Sequence, residues 1–131
     1  MKQKNILKFP SQKTSFPFYK EILENGYHVF SMENAKVPDF YPNKFPHYPG
    51  VDLHNLHIGE VITIRVFFRI SGGHNVNADG GYLDLEVELV DGETIFGVIL
   101  THLPKELPLQ AGDSLELYPD EILYKAQMTE H

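Results

Sequence analysis

Alternation of apolar and polar residues along two segments in the second half of the chain constrains the fold more than any other feature. In residues 61–70 (VITIRVFFRI) every second residue is apolar, and residues 82–90 (YLDLEVELV) repeat the pattern. A period of two predicts β-strands with one buried face. Asp91 and Gly92 predict a two-residue hairpin turn into a third strand that begins at Thr94, since a type I′ turn needs positive φ at both central positions.

The 131 residues fit one domain. Residues 58–125 are interpreted as a β-meander, and several strands joined by close turns favour a small antiparallel sheet that is either strongly curved or closed into a barrel. Before it, residues 15–26 carry apolar residues four apart, which is typical of a short helix, and the lysine-rich residues 1–14 are interpreted as a flexible tail. We therefore expect a mainly β domain, of the α+β class, with one short N-terminal helix.

Residues 37–50 (VPDFYPNKFPHYPG) contain four prolines and form what we call the Pro/aromatic strap. So many prolines exclude a helix interior and a central strand. Its aromatic residues are Phe40, Tyr41, Phe45 and Tyr48. Either these rings fold onto the sheet and complete the core, or they stay exposed as a rigid contact surface for a protein partner.

The chain has a net charge of −7 that is unevenly distributed. Residues 1–50 carry +3, whereas residues 51–131 carry −10. The acidic part repels a phosphate backbone, which argues against nucleic acid and favours a basic partner, while acidic strand faces also keep a small domain soluble. Cysteine is absent, and neither a signal peptide nor an apolar run long enough for a membrane span is evident, so we expect a cytoplasmic protein without disulfides.

The loop between the two long strands, predicted over residues 71–81 (SGGHNVNADGG), is the first candidate metal site. Asn75, Asn77 and Asp79 fall at positions 1, 3 and 5 of the calcium-loop template, and Glu86 falls at position 12. Such oxygen ligands suit calcium, although strands rather than helices flank the loop. The alternative is an ordinary glycine-rich hairpin loop.

A histidine pair is the second candidate metal site. His54 and His57 lie three residues apart with Asp52 close by, and two imidazoles with one carboxylate can hold zinc, iron or nickel. His74, in the loop, is a further candidate ligand or binding residue. The alternative is surface histidines in a turn that precedes the first long strand.

Charged residues on the two long strands allow two interpretations. Arg65 and Arg69 share the outer face of the first strand, and Asp84 and Glu88 share that of the next. If the strands pair, the charges are expected to meet across the ladder as ion pairs. If the acids point elsewhere, the two arginines can instead form an anion site.

The order of turns and strands from Ile58 onward resembles the DUF2314 family of bacterial domains. The matching segments are HIGEVITIRVFF, YLDLEVELVDGETIFGVILTHLP and LQAGDSLELYPDEIL, with Gly59, Gly97, Pro104, Gly112 and Asp113 at the family's turn positions. Tyr82 and Leu83, or else Leu85, stand where the family has tryptophan, and His102 replaces an asparagine. The resemblance implies a small β domain without an assigned activity, of a kind found near toxin and immunity systems.

No serine-nucleophile, phosphate-loop or dinucleotide pattern occurs, which argues against an enzyme and gives no indication of a cofactor. We therefore predict a non-catalytic protein-binding module, of an immunity or accessory type. Its surface would be the acidic strand faces or the Pro/aromatic strap. The alternative is a small-molecule- or metal-binding protein that uses the histidines and the Asn/Asp loop. Pairing of an open sheet edge with a second copy also stays open.

Overall fold

A computed structural model describes residues 6–9, 24–37, 41, 45–70 and 76–126. The strands among them are Ile6–Phe9 (β1), Tyr27–Val29 (β2), Val61–Ile70 (β3), Val76–Asp91 (β4), Thr94–Ile99 (β5), Ser114–Leu117 (β6) and Tyr124–Lys125 (β7). Short 3-10 helices span Asn34–Lys36, Leu53–Asn55 and Pro119–Glu121. Within the described part of the chain, no helix is long and apolar enough to cross a membrane.

The strands form one antiparallel sheet centred on β3 and β4. The main path runs β2-β3-β4-β5-β6. Each central strand has a second edge that two strands share: β1 and β5 pair with β4, and β2 and β7 pair with β3. The sheet curls into a half-barrel, which confirms the prediction of a mainly β, antiparallel and curved fold.

The N-terminal part differs from the prediction. The helix expected over residues 15–26 is not seen, and its residues 15–23 lie outside the described residues. Glu24 and Asn25 have helical backbone, and Gly26 follows with a φ of +82°. The tail predicted over residues 1–14 is structured at Ile6–Phe9, because this segment pairs with Val76–Asp79 of β4.

Both predicted turns around β4 are placed differently. The connection between β3 and β4 is shorter than residues 71–81, because β4 already begins at Val76 and pairs with β3 from Asn77 onward. After β4, Asp91 pairs with Thr94, so the two-residue loop is Gly92–Glu93, one residue later than expected. Gly92 has a φ of +63°, a conformation that glycine adopts without steric cost.

The inner face of the curled sheet holds the main hydrophobic core. Alternate residues of the four longest consecutive strands point into it, as the period of two predicts. The strand residues of this core that are almost fully buried are Ile62, Ile64, Val66, Leu83, Leu85, Val87, Ile95, Ile99 and Leu117. Removing this apolar surface from water is the dominant favourable contribution to folding.

Part of the outer face of β3 is buried as well, so the prediction of one buried face is wrong for this strand. Phe67 is 0% exposed, and Thr63 is also buried, although both alternate with the inner set. The outer face of β4 instead stays open, with Asp84, Glu86 and Glu88 exposed. The outside of the sheet is thus divided into a covered half and an open half.

Candidate functional site

The covered half is formed by an aromatic cluster, defined as Phe30, Tyr41, Phe45, Tyr48 and Phe67. The ring centroid of Phe30 lies 5.0 Å from that of Tyr41 and also 5.0 Å from that of Phe45. The ring centroids of Phe45 and Phe67 lie 5.8 Å apart. Tyr41 and Tyr48 are only 5% and 9% exposed, so these two strap residues pack on the sheet and offer little contact surface. Phe40 lies outside the described residues.

His28 of β2 belongs to the same packing, although the sequence analysis did not single it out. It is 4% exposed, and its Nε2 lies 2.9 Å from the Tyr41 hydroxyl. That hydroxyl also accepts a hydrogen bond from the Ser31 backbone N–H at 2.9 Å. His28 lies opposite Phe67 in the sheet. Its burial could have been predicted only from the pairing of β2 with β3, which the sequence does not state.

Arg65 is the charged residue within this otherwise apolar region. Its guanidinium carbon lies 4.7 Å from the Phe45 ring centroid and 5.3 Å from those of Phe67 and Tyr82. Such cation–π contacts are favourable, and more so where water is excluded. Nη1 donates to the hydroxyls of Tyr48 and Tyr82 at 3.3 and 3.4 Å. Nε is buried and has no hydrogen-bond partner among the described residues.

The two tyrosines at Arg65 are bonded to each other. Their hydroxyl oxygens lie 2.9 Å apart, so one hydroxyl donates to the other. Burial raises the pKa of Tyr48, and its hydrogen bond with Tyr82 acts in the same direction, while Arg65 opposes them. Tyr48 therefore keeps its proton at neutral pH, and the trio of Arg65, Tyr48 and Tyr82 is rich in hydrogen-bond donors.

The expected ion pairs between the arginines and the acids do not form, because the strand register places them apart. Arg65 lies opposite Tyr82, and Arg69 lies opposite Ala78. Asp84 lies opposite Thr63, whose hydroxyl donates to its carboxylate at 2.8 Å. The two arginines are four residues apart on the strand, so their Cα atoms lie about 13 Å apart, and a joint anion site of both stays a prediction.

The open half is a second candidate surface, which we call the open face. It consists of Asp84, Glu86, Glu88, Leu89, Phe96, Val98 and Glu116 on β4, β5 and β6. Phe96 pairs with Leu89 on one side and with Glu116 on the other, so apolar and acidic side chains alternate across the strands. Leu89 is 47% exposed. These three strands contain no lysine and no arginine.

The histidine pair does not form the predicted metal site. The Asp52 carboxylate caps a 3-10 helix by accepting from the His54 backbone N–H at 3.0 Å, which uses the expected carboxylate ligand. The His57 backbone N–H donates to Glu60, and this bond, together with the Lys125 ammonium, lowers the pKa of Glu60. Among the residues that the structure describes, no three His, Asp or Glu side chains are grouped to hold a metal.

The calcium loop is also not formed. Asn77 and Asp79 belong to β4, where they pair with β3 as extended backbone. The nine residues from Asn77 to Glu86 therefore span about 30 Å, far more than a single ion can bridge. Asn75 and His74 lie outside the described residues.

A cavity of about 520 Å³ lies beside the aromatic cluster, and the rings of Phe30, Phe45 and Tyr48 contribute to its lining. One of its two acidic lining residues, Asp120, accepts a hydrogen bond from the Ser31 hydroxyl. Two further charged lining residues, Lys36 and Glu33, form an exposed ion pair with each other at 3.2 Å. These three charged groups are bonded within the chain, and apart from His47 the rest of the lining is mainly aromatic and apolar.

Comparisons with family models, with curated proteins and with solved structures find no match to the chain. The resemblance to DUF2314 therefore rests on the quoted motifs alone. Two surfaces of the protein are candidates for its function, the Arg65 trio and the open face.

Proposed function

We propose that the chain is a non-catalytic protein-binding module and that the open face binds a basic segment of its partner. The observation that carries this proposal is the composition of β4, β5 and β6. Their outer side chains combine four carboxylates with exposed or half-exposed apolar groups, and none of these strands contains a basic residue. Interfaces combine an apolar centre with polar surroundings in this way.

The contrast between the two halves of the outer face supports the proposal. Over β3 the chain covers its own sheet with aromatic rings, and Phe67 is completely buried. Over β4 to β6 the described residues provide no such cover, and Leu89 and Phe96 stay accessible next to carboxylates. An apolar surface bordered by charge is a recognised mark of an interaction site.

Charge complementarity identifies the chemistry of the partner. The open face carries four carboxylates, and its three strands contain no lysine or arginine, so the field over it is negative. A partner segment with lysine or arginine beside apolar side chains complements it, and electrostatic attraction speeds its association. An immunity or accessory protein fits this class, as the motif resemblance implies. With no cysteine in the chain, we place the encounter in the cytoplasm.

Charge reversal on the open face tests the proposal. The tagged chain is used to capture a partner from its native cells, and the dissociation constant is then measured with the purified partner. The test variant is Glu86→Lys with Glu88→Lys. The matched control is Glu93→Lys with Glu106→Lys, which changes two exposed carboxylates outside the open face by the same total charge.

We expect one stoichiometric basic protein, with binding weakened about tenfold or more by the test variant and little changed by the control. Higher salt should weaken the wild-type complex and reduce the difference between the variants, because exposed charges are screened. Equal losses in both variants, or recovery of the chain alone, would contradict the proposal.

A further inference from the structure

We propose that Arg65, Tyr48 and Tyr82 form a binding site for an anionic group, a carboxylate or a phosphate, of a small ligand. This site lies at the border of the covered half and uses none of the open-face residues. It does not depend on the protein-binding role, and it can be tested separately.

Unused hydrogen-bond donors are the first argument. A guanidinium carries five N–H groups. With the described residues, only Nη1 of Arg65 forms hydrogen bonds, and both are long, at 3.3 and 3.4 Å. Nε has none, and Nη2 has no partner among the described residues either. Nη2 is not enclosed as Nε is, so this end of the guanidinium is accessible to a ligand.

The missing counter-charge is the second argument. No carboxylate of the described residues lies within ion-pair distance of Arg65. Asp84, the acid nearest in register, accepts from the Thr63 hydroxyl, and its backbone N–H donates to the Thr101 hydroxyl. A partly buried cation is usually paired or hydrogen-bonded, since removing it from water is costly.

The aromatic surroundings position Arg65 without satisfying it. Cation–π attraction acts between the cation and the ring faces of Phe45, Phe67 and Tyr82, and it supplies no acceptor for the N–H groups. The guanidinium is thus held in place with donors left over. A ligand with two oxygen atoms can accept from Nη2 and from a neighbouring hydroxyl at once.

The tyrosines complete the donor set. Tyr48 and Tyr82 share one hydrogen bond, which uses a single hydroxyl hydrogen. The second hydroxyl hydrogen has no acceptor among the described residues, because the remaining contacts of both oxygens are to Arg65, which donates. When Tyr48 donates to Tyr82, the free hydrogen belongs to Tyr82, which is 49% exposed, so this donor then lies at the surface. A carboxylate or phosphate can accept hydrogen bonds from Arg65 Nη2 and from this hydroxyl, and it neutralises the charge of the guanidinium.

Titration of the full-length chain with inorganic phosphate and, separately, with acetate tests the site. The ionic strength is held constant with sodium chloride, and two-dimensional amide spectra follow the Arg65 Nε–H and Tyr82 backbone signals. The variants are Arg65→Gln and Tyr82→Phe. The matched control is Arg69→Gln, which removes an exposed arginine from the same face of the same strand.

We expect saturable shifts at both signals in the wild type. The shift of the Tyr82 backbone signal should be lost in Arg65→Gln, while the affinity that it reports should fall about tenfold in Tyr82→Phe and stay unchanged in Arg69→Gln. Tighter binding of phosphate or of acetate identifies which anionic group the ligand carries. If neither ion produces a saturable shift, or if Arg69→Gln weakens binding as much as Arg65→Gln, the proposal is wrong. If Arg65→Gln does not fold, Tyr82→Phe is the deciding variant, because it keeps the ring and removes only the hydroxyl. Unchanged anion binding in Tyr82→Phe would then contradict the proposal.

Discussion

Replacement of Phe67 by alanine is the most direct test of the second, aromatic core. A strand with one buried face would leave this position at the surface, where substitutions change stability by less than about 0.5 kcal/mol. In the structure the ring is fully buried, with ring centroids of Phe45, Tyr41 and Phe30 at 5.8, 6.1 and 6.5 Å.

The expected cost is large because the substitution removes a whole ring from a packed site. Truncation of a buried phenylalanine to alanine typically costs about 3–5 kcal/mol. Each lost aromatic pair adds about 0.5–1.5 kcal/mol to what burial alone contributes, which favours the upper part of that range. We therefore expect Phe67→Ala to lower the free energy of unfolding by about 4 kcal/mol, a cost comparable with that of Ile64→Ala on the inner face.

Urea unfolding at pH 7, followed by circular dichroism, measures this cost. With a slope of about 2 kcal/mol per molar urea, the midpoint should fall by about 2 M. Arg69→Ala, at an exposed position on the same face, serves as the control and should shift the midpoint little. A loss below about 1 kcal/mol for Phe67→Ala would refute the idea that the aromatic cluster is a core.

Two further predictions concern the electrostatics and the packing of the sheet. The His57 backbone amide and the Lys125 ammonium hold the pKa of Glu60 below its ordinary value of 4.5. The ionised Glu60 carboxylate therefore stabilises the fold above about pH 4.5, and this stabilisation is lost as the pH falls through the lower pKa of the folded state. Glu60→Gln should thus be less stable than wild type at pH 7 and equally stable at strongly acidic pH in urea unfolding curves, whereas a difference independent of pH would contradict this cause. Gly97→Ala should lower the thermal midpoint, since a Cβ there would lie 3.1 Å from the Cβ of the buried Leu85. Gly81→Ala, with open space around its Cβ, should not lower it, and equal effects of both changes would contradict the packing argument.

The inner core could be predicted because its pattern is local. Burial of Ile62, Ile64 and Leu85 follows from a period of two within single strands. Burial of Phe67 could not be predicted in this way, because its cover comes from Phe30 and the strap, far away in the chain. A strand pattern states which residues share a face, and it leaves open whether another segment covers that face.

The predicted ion pairs and the predicted calcium loop were wrong for related reasons. The ion pairs expected for Arg65 required a register that places acids opposite it. The hydrophobic pattern excludes a slip by one residue, which would turn the apolar side chains outward, but a slip by two residues keeps the same face buried and changes the opposite residues. The calcium template assumed that Asn77 lies in a loop, whereas the strand begins one residue before it. Asp52 had a recognisable signal, because aspartate directly before a short helical turn commonly caps it.

The order of elements along the chain has a consequence for biosynthesis. Phe30, Tyr41 and Tyr48 are translated before β3, the strand on which they pack, and β3 in turn needs β4 as a neighbour. At about 5–20 residues per second, these rings are without their binding surface for several seconds as the polypeptide grows. We expect the nascent chain to be most prone to aggregation in that interval. The prolines between these aromatic residues hinder β-strand formation by the segment before β3 has been synthesised.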